Sequence, residues 1–240
     1  MTSPRAALVT GAAGGIGREI AAALHADGWT VATTDLPGKV DPRGTDLSVA
    51  ADLRDRDECH RLLNVVLSEF GRLDLLVNNA ATMTVVEPAV DTMNLWWQDV
   101  DVNLSAPLWL IQSAAGSLRE AHGQVINITS ISGLRGEAGF SAYAASKAGL
   151  LGMTRSLARE LAPEIRVNAI APGPTDTEQL SRDANFNGVS MAQLHRMYIA
   201  DMPIGRLIRP NEVAELIVYL ANSQAVTGEC VQINGGMLMA

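Results

Sequence analysis

Tyr143 and Lys147 are the side chains of this 240-residue sequence best suited to acid–base chemistry, because they stand four positions apart in a segment with a helical pattern. Residues four apart on a helix share one face, so the phenol and the ammonium would lie side by side. A phenol with its ordinary pKa of about 10 is a poor base at neutral pH, but a neighbouring positive charge stabilises the phenolate and lowers that pKa. Alternatively, the two residues are an ordinary exposed helix pair, since this spacing is common by chance.

Ser130 adds a hydroxyl group at a place that a ligand can reach. It follows a strand-like run at 125–128, and open α/β sheets bind ligands at the carboxyl ends of their strands. Ala142 and Ala144 flank Tyr143 and give the helix a slim face that a ligand could approach closely. The hydroxyl of Ser130 could therefore hold a substrate oxygen beside the phenol.

Three glycines form a turn near the start of the chain, between a strand-like run at 6–9 and a helical pattern at 16–26. Gly11 permits a tight turn, Gly15 lets the backbone approach a pyrophosphate, and Gly17 allows close packing of helix on strand. The free amides and the helix dipole then favour an anion. Glycines also make ordinary turns, but the strand–turn–helix context predicts binding of a dinucleotide.

Asp35 follows the next strand-like run, at 30–33, and is close to the position of a ribose-binding acid, about 20 residues after the glycine turn. A carboxylate there accepts hydrogen bonds from both ribose hydroxyls and repels a 2′-phosphate, so it predicts NAD rather than NADP. Lys39 and Arg43 are nearby cations that could bind the phosphate instead. Alternatively, Asp35 is only a turn residue that ends its strand.

Asp52 and Leu53 are candidates for the adenine end of the dinucleotide. The Asp52 carboxylate and the Leu53 backbone could bind the adenine amino group. Alternatively, Asp52 or Asp55 caps the helix that follows, and both interpretations can hold together.

The elements that position these residues alternate between strand and helix. Strands are predicted at 6–9, 30–33, 73–77, 125–128, 165–170 and 229–233, and helices at 16–26, 57–70, 96–117, 142–161 and 212–220. Right-handed βαβ crossovers build parallel sheets with helices on both faces. The pattern therefore predicts an α/β protein, a single-domain Rossmann fold over residues 1–240 with a doubly wound parallel sheet.

Two connections depart from this alternation. The segment 35–52 holds several prolines and glycines, so the crossover helix expected there is absent or short. The segment 172–210 has no clear period, and residues 177–202 are predicted to form a lid over the site. Candidate substrate-lining residues are Met83, Leu134, Phe140, Gln179, Leu180, Met191, His195 and Tyr198. Ordinary packing is the alternative for the Met and Leu members, and a place on the lid surface is the alternative for His195.

Composition limits the partners. The net charge is −8 and the pI is about 5.0, with no basic stripe, which argues against nucleic acid. Two cysteines without metal-ligand spacing indicate neither a disulfide framework nor a metal site, and both are expected to be buried small groups. No stretch approaches the roughly 20 apolar residues that span a bilayer, so we expect no membrane segment and a cytoplasmic location.

With these motifs placed, the sequence resembles the short-chain dehydrogenase/reductase family from residue 6 to about residue 236. The family's motifs occur in order as Thr10-Gly11-x-x-x-Gly15-Ile16-Gly17, Asp52-Leu53, Asn78-Asn79-Ala80, Asn103, Ser130, Tyr143-x-x-x-Lys147, and Pro172-Gly173 with Thr177. The resemblance implies that Tyr143 is the general acid/base and that Ser130 orients the carbonyl. It also implies that Lys147 binds the nicotinamide ribose and lowers the Tyr143 pKa, while Asn103 holds a water of a proton relay. Capping of a helix break is the alternative for Asn103.

The resemblance also assigns the cofactor contacts. Asn79 and Ala80 would line the adenosine side, and the backbone after Gly173, with Thr177, would hold the carboxamide; as an alternative, Thr177 caps a lid helix. The predicted NAD-binding residues are Gly11, Gly15, Ile16, Gly17, Asp35, Leu36, Asp52, Leu53, Asn79, Ala80, Tyr143, Lys147, Pro172, Gly173, Thr175 and Thr177. Two positions depart from the family pattern: Ala81 replaces a glycine beside the cofactor channel, and Asn234 replaces an aspartate near the C-terminus.

The implied function is transfer of a hydride between NAD(H) and a small secondary alcohol or ketone, in a homotetramer built from the helices at 96–117 and 142–161 and the final strand. Segments 174–178 and 202–210 are similar to dihydrodiol dehydrogenases and segment 152–161 is similar to ketoacyl reductases, so the substrate is left open. The alternatives are an NADPH-dependent 3-ketoacyl reductase and a non-catalytic NAD-binding regulator. The presence of all four groups of the catalytic set argues against a regulator.

Overall fold

The computed structural model describes residues 4–40, 45–85 and 92–239. Strands lie at Ala6–Thr10 (β1), Thr30–Asp35 (β2), Leu47–Ala50 (β3), Leu75–Asn78 (β4), Gln124–Ile128 (β5), Arg166–Pro172 (β6) and Cys230–Ile233 (β7). Helices lie at Gly15–Ala26 (α1), Arg56–Phe70 (α2), Met93–Val100 (α3), Ala106–Glu120 (α4), Ser132–Arg135 (α5), Ser141–Glu160 (α6), Gln179–Phe186 (α7), Met191–Ala200 (α8) and Pro210–Asn222 (α9). A π-helical segment, Asp101–Ser105, joins α3 to α4.

The strands form one parallel sheet in the order β3-β2-β1-β4-β5-β6-β7. At the centre, β1 pairs with β2 on one side and with β4 on the other. The strand order therefore reverses between β1 and β4, and open α/β sheets bind ligands at such a switch point, beyond the carboxyl ends of the strands. The predicted doubly wound Rossmann fold is confirmed.

Hydrophobic cores cover both faces of this sheet. Side chains alternate between the faces along a strand, so Ala7 and Val9 pack against α1 and α9, while Leu8 between them packs against α2 and α4. All five residues of β1 are buried, which is why the strand is a continuous apolar run without polar alternation. Loops at the strand ends are left to carry the polar groups.

Local sequence sets the ends of α2. The Asp55 carboxylate accepts a hydrogen bond from the backbone N–H of Asp57 at 2.8 Å, and Gly71 ends the helix with a φ of 70°. Glycine adopts this left-handed conformation without the steric cost that other residues carry. The helix begins one residue before the predicted start and ends at the predicted residue.

Three segments differ from the sequence prediction. The helix predicted at 96–117 is α3, the π segment and α4 in succession, because the apolar pattern does not reveal one widened turn. The pattern misses β3 because only Val49 among its four residues is buried. The segment 172–210, which has no clear period in the sequence, contains α7 and α8. As expected, the described residues between Asp35 and Asp52 contain no helix.

The structure also bears on membrane segments and on the two cysteines. Within the described ranges, no helix combines the length and apolar character that crossing a bilayer requires. Cys59 is buried and Cys230 is half-buried, and both are free thiols. Burial raises the pKa of the Cys59 thiol to about 12, so it is an unreactive core group.

Candidate active site

Two adjoining cavities open at the carboxyl ends of the strands. The smaller has a volume of about 200 Å³ and the larger about 880 Å³. Five residues line both cavities: Ile16, Asn79, Ala81, Thr177 and Gln179. Every catalytic and cofactor-binding residue predicted from the sequence lines one cavity or the other, except Asn103. A long ligand in the larger cavity could therefore end beside a small ligand in the smaller one.

The glycine turn lies at the mouth of the larger cavity and is held against the loop after β4. The Asn79 side-chain amide donates to the carbonyls of Thr10 and Gly11 at 2.8 and 3.0 Å. A Cβ on Gly11 would lie 2.7 Å from Ala80 Cα, and a Cβ on Gly17 would lie 2.6 Å from Asn79 Nδ2. Only glycine fits at these two positions. The turn leads directly into α1. Among the described residues, no side chain caps the N-terminus of this helix, so its backbone amides are available to an anion.

Asp35 lines the larger cavity at the end of β2. Its two carboxylate oxygens accept hydrogen bonds from the backbone N–H groups of Ala13 at 3.0 Å and Leu36 at 2.8 Å. The carboxylate thus bridges the glycine turn and the strand end, and its remaining lone pairs can accept from a ligand. Leu36 and Lys39 also line this cavity, whereas Arg43 lies outside the described residues.

The two alternatives for Asp52 divide between two aspartates. Asp55 is the residue that caps α2. Asp52 lines the larger cavity with Leu53, and both of its oxygens accept hydrogen bonds from Arg54 Nε, at 3.0 and 3.1 Å. The Arg54 guanidinium holds the pKa of Asp52 below its ordinary value. Arg54, which lies at the predicted adenine end of the cavity, is therefore already paired with the carboxylate of Asp52.

Tyr143, Ser130 and Lys147 meet in the smaller cavity. Tyr143 and Lys147 lie on α6, and the Lys147 Nζ is 5.7 Å from the centroid of the Tyr143 ring. The ammonium donates to the backbone carbonyl of Ile128 at 2.7 Å, at the end of β5. The alternative of an exposed helix pair is therefore wrong, because Lys147 is only 1% exposed.

The electrostatics of this group depart from the sequence expectation. Burial raises the pKa of Tyr143 to about 12, and a hydrogen bond from Ser130 acts in the opposite direction. Burial lowers the pKa of Lys147 to about 8, while the charge of Asp99 acts to raise it. The sequence predicts a lowered Tyr143 pKa, but loss of solvent outweighs the other influences in the protein alone.

Asn103 lies in the π segment beneath the cavities and lines neither. Its amide oxygen accepts from the Thr82 N–H at 2.9 Å, and its amide nitrogen donates to Thr82 O at 2.8 Å and to Ser146 Oγ at 3.0 Å. The residue does not cap a helix break; it fixes Thr82, which lines the larger cavity. Its part in a proton relay stays a prediction.

Asp99, which the sequence analysis misses, supports the same loop. It is completely buried and accepts hydrogen bonds from the hydroxyls of Thr82 and Thr84, both at 2.8 Å, and from the Thr84 N–H at 3.1 Å. A single aspartate in a helical pattern gives no signal. Only the fold shows that its carboxylate faces the loop after β4.

The carboxyl end of β6 and the residues after it form one wall of the smaller cavity. Pro172, Gly173, Thr175 and Thr177 line the smaller cavity. A Cβ on Gly173 would lie 2.9 Å from Asn234 Cα, so glycine lets the final turn of the chain pack here. Thr177 does not cap α7, because the cap position is Glu178. Asn234 instead holds the C-terminal turn, accepting from the Gly236 N–H at 2.9 Å.

The lid lies against the loop at 134–140. The rings of Phe140 and Phe186 meet edge to face with centroids 4.9 Å apart. Of the predicted substrate-lining residues, Met83, Phe140, Gln179, Leu180 and Tyr198 line the smaller cavity. Leu134, Met191 and His195 do not line it. Three charged groups of this cavity are not predicted from the sequence: Arg135, Glu137 and Asp183.

Metal binding has no support in the described part of the chain, where no three His, Cys, Asp or Glu side chains are grouped to hold an ion. A glycine turn at the switch point of a parallel sheet, beside a cavity-lining tyrosine and a buried lysine, instead defines the class: a Rossmann-fold oxidoreductase that binds a nicotinamide cofactor. A family model described as enoyl-(acyl carrier protein) reductase matches residues 11–238. The chain belongs to the short-chain dehydrogenase/reductase family, as its motifs predict.

Relatives cover the full length of the chain. A 3-oxoacyl-[acyl-carrier-protein] reductase of Staphylococcus aureus is 35% identical over 254 residues, covering 100% of both chains. The ligand-free aldohexose dehydrogenase of Thermoplasma acidophilum superposes with a TM-score of 0.91 at 27% identity, covering 98% of this chain and 94% of the other. A single-residue variant of actinorhodin polyketide ketoreductase with NADPH gives a TM-score of 0.90 at 31% identity, covering 98% and 97%.

Proposed function

We propose that the protein is an NAD-dependent dehydrogenase that oxidises a small secondary alcohol to a ketone, with Tyr143 as the general base. The observation that carries the proposal is the convergence of Tyr143, Ser130 and Lys147 in a cavity of about 200 Å³ that adjoins the cavity holding Asp35. The smaller cavity is below the range of about 300–1,000 Å³ that is usual for drug-sized ligands, which favours a small substrate.

The larger cavity fits a dinucleotide. Its volume of about 880 Å³ is of the right order, and the uncapped N-terminus of α1 can bind a pyrophosphate. Asp35 would accept hydrogen bonds from the adenosine ribose and disfavour a 2′-phosphate. Thr177 and the backbone after Gly173 would hold the carboxamide beside Tyr143.

Tyr143 takes the alcohol proton, and Ser130 donates a hydrogen bond that orients the substrate oxygen. NAD⁺, when bound, supplies the acceptor for the hydride that leaves the carbinol carbon, and its positive ring favours the phenolate. Lys147 adds a second positive charge, because a group with a pKa of about 8 is mostly protonated at pH 7. These two charges oppose the burial that raises the Tyr143 pKa.

A second candidate is an NADPH-dependent 3-ketoacyl reductase. It is favoured by the name of the Staphylococcus aureus relative at 35% identity and by the NADPH in the ketoreductase structure. The carboxylate of Asp35 and the Asp52–Arg54 pair argue against a bound 2′-phosphate. A non-catalytic regulator would not need the buried lysine, whose desolvation costs stability. Cofactor titration separates the first two candidates.

The assembly and location are proposed with the function. We place the protein in the cytoplasm as a homotetramer that contacts its copies through α4, α6 and β7. β7 lies at one edge of the sheet and pairs only with β6 among the described strands, so its other edge is available. Neither nucleic acid nor a membrane is part of the proposal.

The test is Tyr143→Phe, with Tyr219→Phe as a matched control because Tyr219 is 66% exposed on α9. Tyr143→Phe should abolish alcohol oxidation while NADH binding stays nearly intact, as measured by fluorescence titration, because the phenol oxygen carries the proton transfer and is only one of many predicted cofactor contacts. Tyr219→Phe should retain both. Full turnover in Tyr143→Phe would refute the mechanism.

A further inference from the structure

The lid wall of the smaller cavity contains a buried carboxylate that the mechanism does not use. Asp183 lies on α7 and is only 8% exposed, yet it lines the same cavity as Tyr143 and Ser130. One oxygen, Oδ2, accepts a hydrogen bond from the Tyr198 hydroxyl of α8 at 3.2 Å. The other, Oδ1, is buried and receives no hydrogen bond of normal geometry from any residue within 4–40, 45–85 or 92–239.

This carboxylate has more acceptor capacity than its surroundings use. A carboxylate offers about four lone-pair sites, and a buried polar group without a partner costs free energy. Burial raises the pKa of Asp183, as expected for a carboxylate removed from water. An O–H group supplied by a ligand would satisfy the unpaired oxygen.

Gln179 lies one helical turn before Asp183 and lines the cavity beside it. As a nearby hydrogen-bond donor its amide acts against burial and towards a lower Asp183 pKa, but the amide nitrogen is buried and makes no hydrogen bond of normal geometry to the described residues. The amide nitrogen and the carboxylate oxygen are thus adjacent on one wall, and neither has a hydrogen-bond partner of normal geometry among the described residues. The pair matches a hydroxyl group, which both donates and accepts.

The charges around this wall disfavour an anionic ligand. Glu137 acts to raise the Asp183 pKa and Arg182 acts to lower it, while Arg135 is paired with Glu137 at 3.3 Å. Asp183 also acts to raise the pKa of Tyr143, so its carboxylate is within electrostatic reach of the phenol. One small molecule could therefore contact the proton-transfer group and this wall together.

We propose that Asp183 and Gln179 bind a second hydroxyl group of the substrate, so that the substrate is a small polyhydroxylated secondary alcohol. The inference rests on the proposed function and adds the substrate class. One carbinol carbon gives its hydride to the cofactor, and the hydroxyl oxygen on that carbon gives its proton to Tyr143. The second hydroxyl donates to Asp183 and accepts from Gln179 without reacting.

The test compares matched substrates that differ only by the second hydroxyl: cyclohexane-1,2-diol with cyclohexanol, and butane-2,3-diol with butan-2-ol. A hydrogen bond to a charged group contributes about 1.5–3 kcal/mol, so wild-type kcat/KM should favour each diol by about 10- to 150-fold. Asp183→Leu should remove that preference by lowering kcat/KM for the diols alone. Leucine is of similar size and has apolar neighbours in Leu180 and Ala184.

Two further variants separate recognition from folding. Asn185→Leu introduces the same side chain at an exposed position of α7 and should keep the diol preference. Tyr198→Phe removes the tether between α7 and α8 but keeps the carboxylate, so the melting temperature should fall while the preference persists. A purely structural Asp183 would instead change the melting temperature and leave the ratio of diol to mono-alcohol unchanged.

The outcomes distinguish this inference from the function on which it rests. Oxidation of cyclohexanol that depends on Tyr143, without any preference for the diols, would overturn the inference and leave the proposed function standing. A 3-hydroxybutyryl thioester oxidised faster than every diol, and equally well by Asp183→Leu, would also overturn it. Oxidation of no alcohol by the wild type would overturn both.

Discussion

Replacing Asp35 with asparagine should reverse the balance between NAD and NADP. The wild-type carboxylate is fixed by the N–H groups of Ala13 and Leu36, so its orientation towards the larger cavity is set before any ligand binds. Asparagine keeps the size but has one acceptor oxygen in place of two. One backbone N–H then loses its partner, and the ribose loses a charged acceptor.

The magnitude follows from two effects that act in the same direction. Hydrogen bonds to a charged acceptor contribute about 1.5–3 kcal/mol, so kcat/KM with NAD should fall about 10- to 150-fold. A unit negative charge about 4 Å from a phosphate charge repels it by about 1 kcal/mol in water and about 4 kcal/mol at an effective dielectric constant of about 20. Losing that repulsion raises kcat/KM with NADP, and together the NAD/NADP ratio should fall about 100-fold or more.

Initial rates with each cofactor, on one preparation, measure this ratio independently of how much protein is folded. Asp46→Asn is the matched control, because Asp46 also accepts a backbone N–H, from Val31 at 2.8 Å, but does not line the cavity. The control should leave the ratio unchanged. A wild type that prefers NADPH, or an Asp35→Asn ratio equal to that of the control, would refute the argument for NAD.

Two other predictions concern the charges beneath the site. Lys147→Met should stabilise the protein at pH 7, because burial lowers the pKa of Lys147 from 10.5 to about 8, a penalty on the ammonium of about 3 kcal/mol. Between those pH values the unfolded chain binds more protons than the folded one, so wild-type stability rises with pH. The difference in the free energy of unfolding between Lys147→Met and the wild type should therefore shrink. Urea unfolding of both proteins at pH 7 and pH 10 measures this difference, and a constant value would contradict the prediction. Asp99→Asn removes a charge that acts to raise the pKa of both Tyr143 and Lys147, so the pH profile of kcat/KM for alcohol oxidation should move down by about 0.5 pH unit or more. Thr84→Val cuts a hydrogen bond to Asp99 without changing its charge and should leave the profile in place; equal profiles for both variants would argue that Asp99 acts only through its hydrogen bonds.

The sequence predicts most of the sheet because its strands are strongly apolar and separated by helices of ordinary length. It also predicts the residues of the glycine turn and of the tyrosine–lysine pair, whose spacing is local. β3 is not predicted, because three of its four residues are only partly buried. The π segment is not predicted, because a single widened turn does not change an apolar pattern with a period near 3.6 residues.

The missed parts of the site depend on contacts between distant segments. Asp99 is an isolated acid in the sequence, and only the fold brings Thr82 and Thr84 to its carboxylate. Asp183 has a weak local signal, since it stands four residues after Gln179, but that signal requires recognition of α7 as a helix. The pKa of Tyr143 could not be predicted from the sequence, because it depends on the loss of solvent around the phenol in the folded protein.

The hydrogen bonds that join the glycine turn to the loop after β4 have a consequence for the lifetime of the protein. Asn79 and Thr10 are 69 positions apart, and the turn gains its shape only when β1 and β4 have paired. A cofactor that binds there prefers the fully joined sheet over every state in which its two halves have separated. At a free concentration of about 100 times its dissociation constant, it would add about 2.7 kcal/mol to the free energy of unfolding. The supply of cofactor in the cell would then set how often the chain opens to proteases, as well as how fast it turns over substrate.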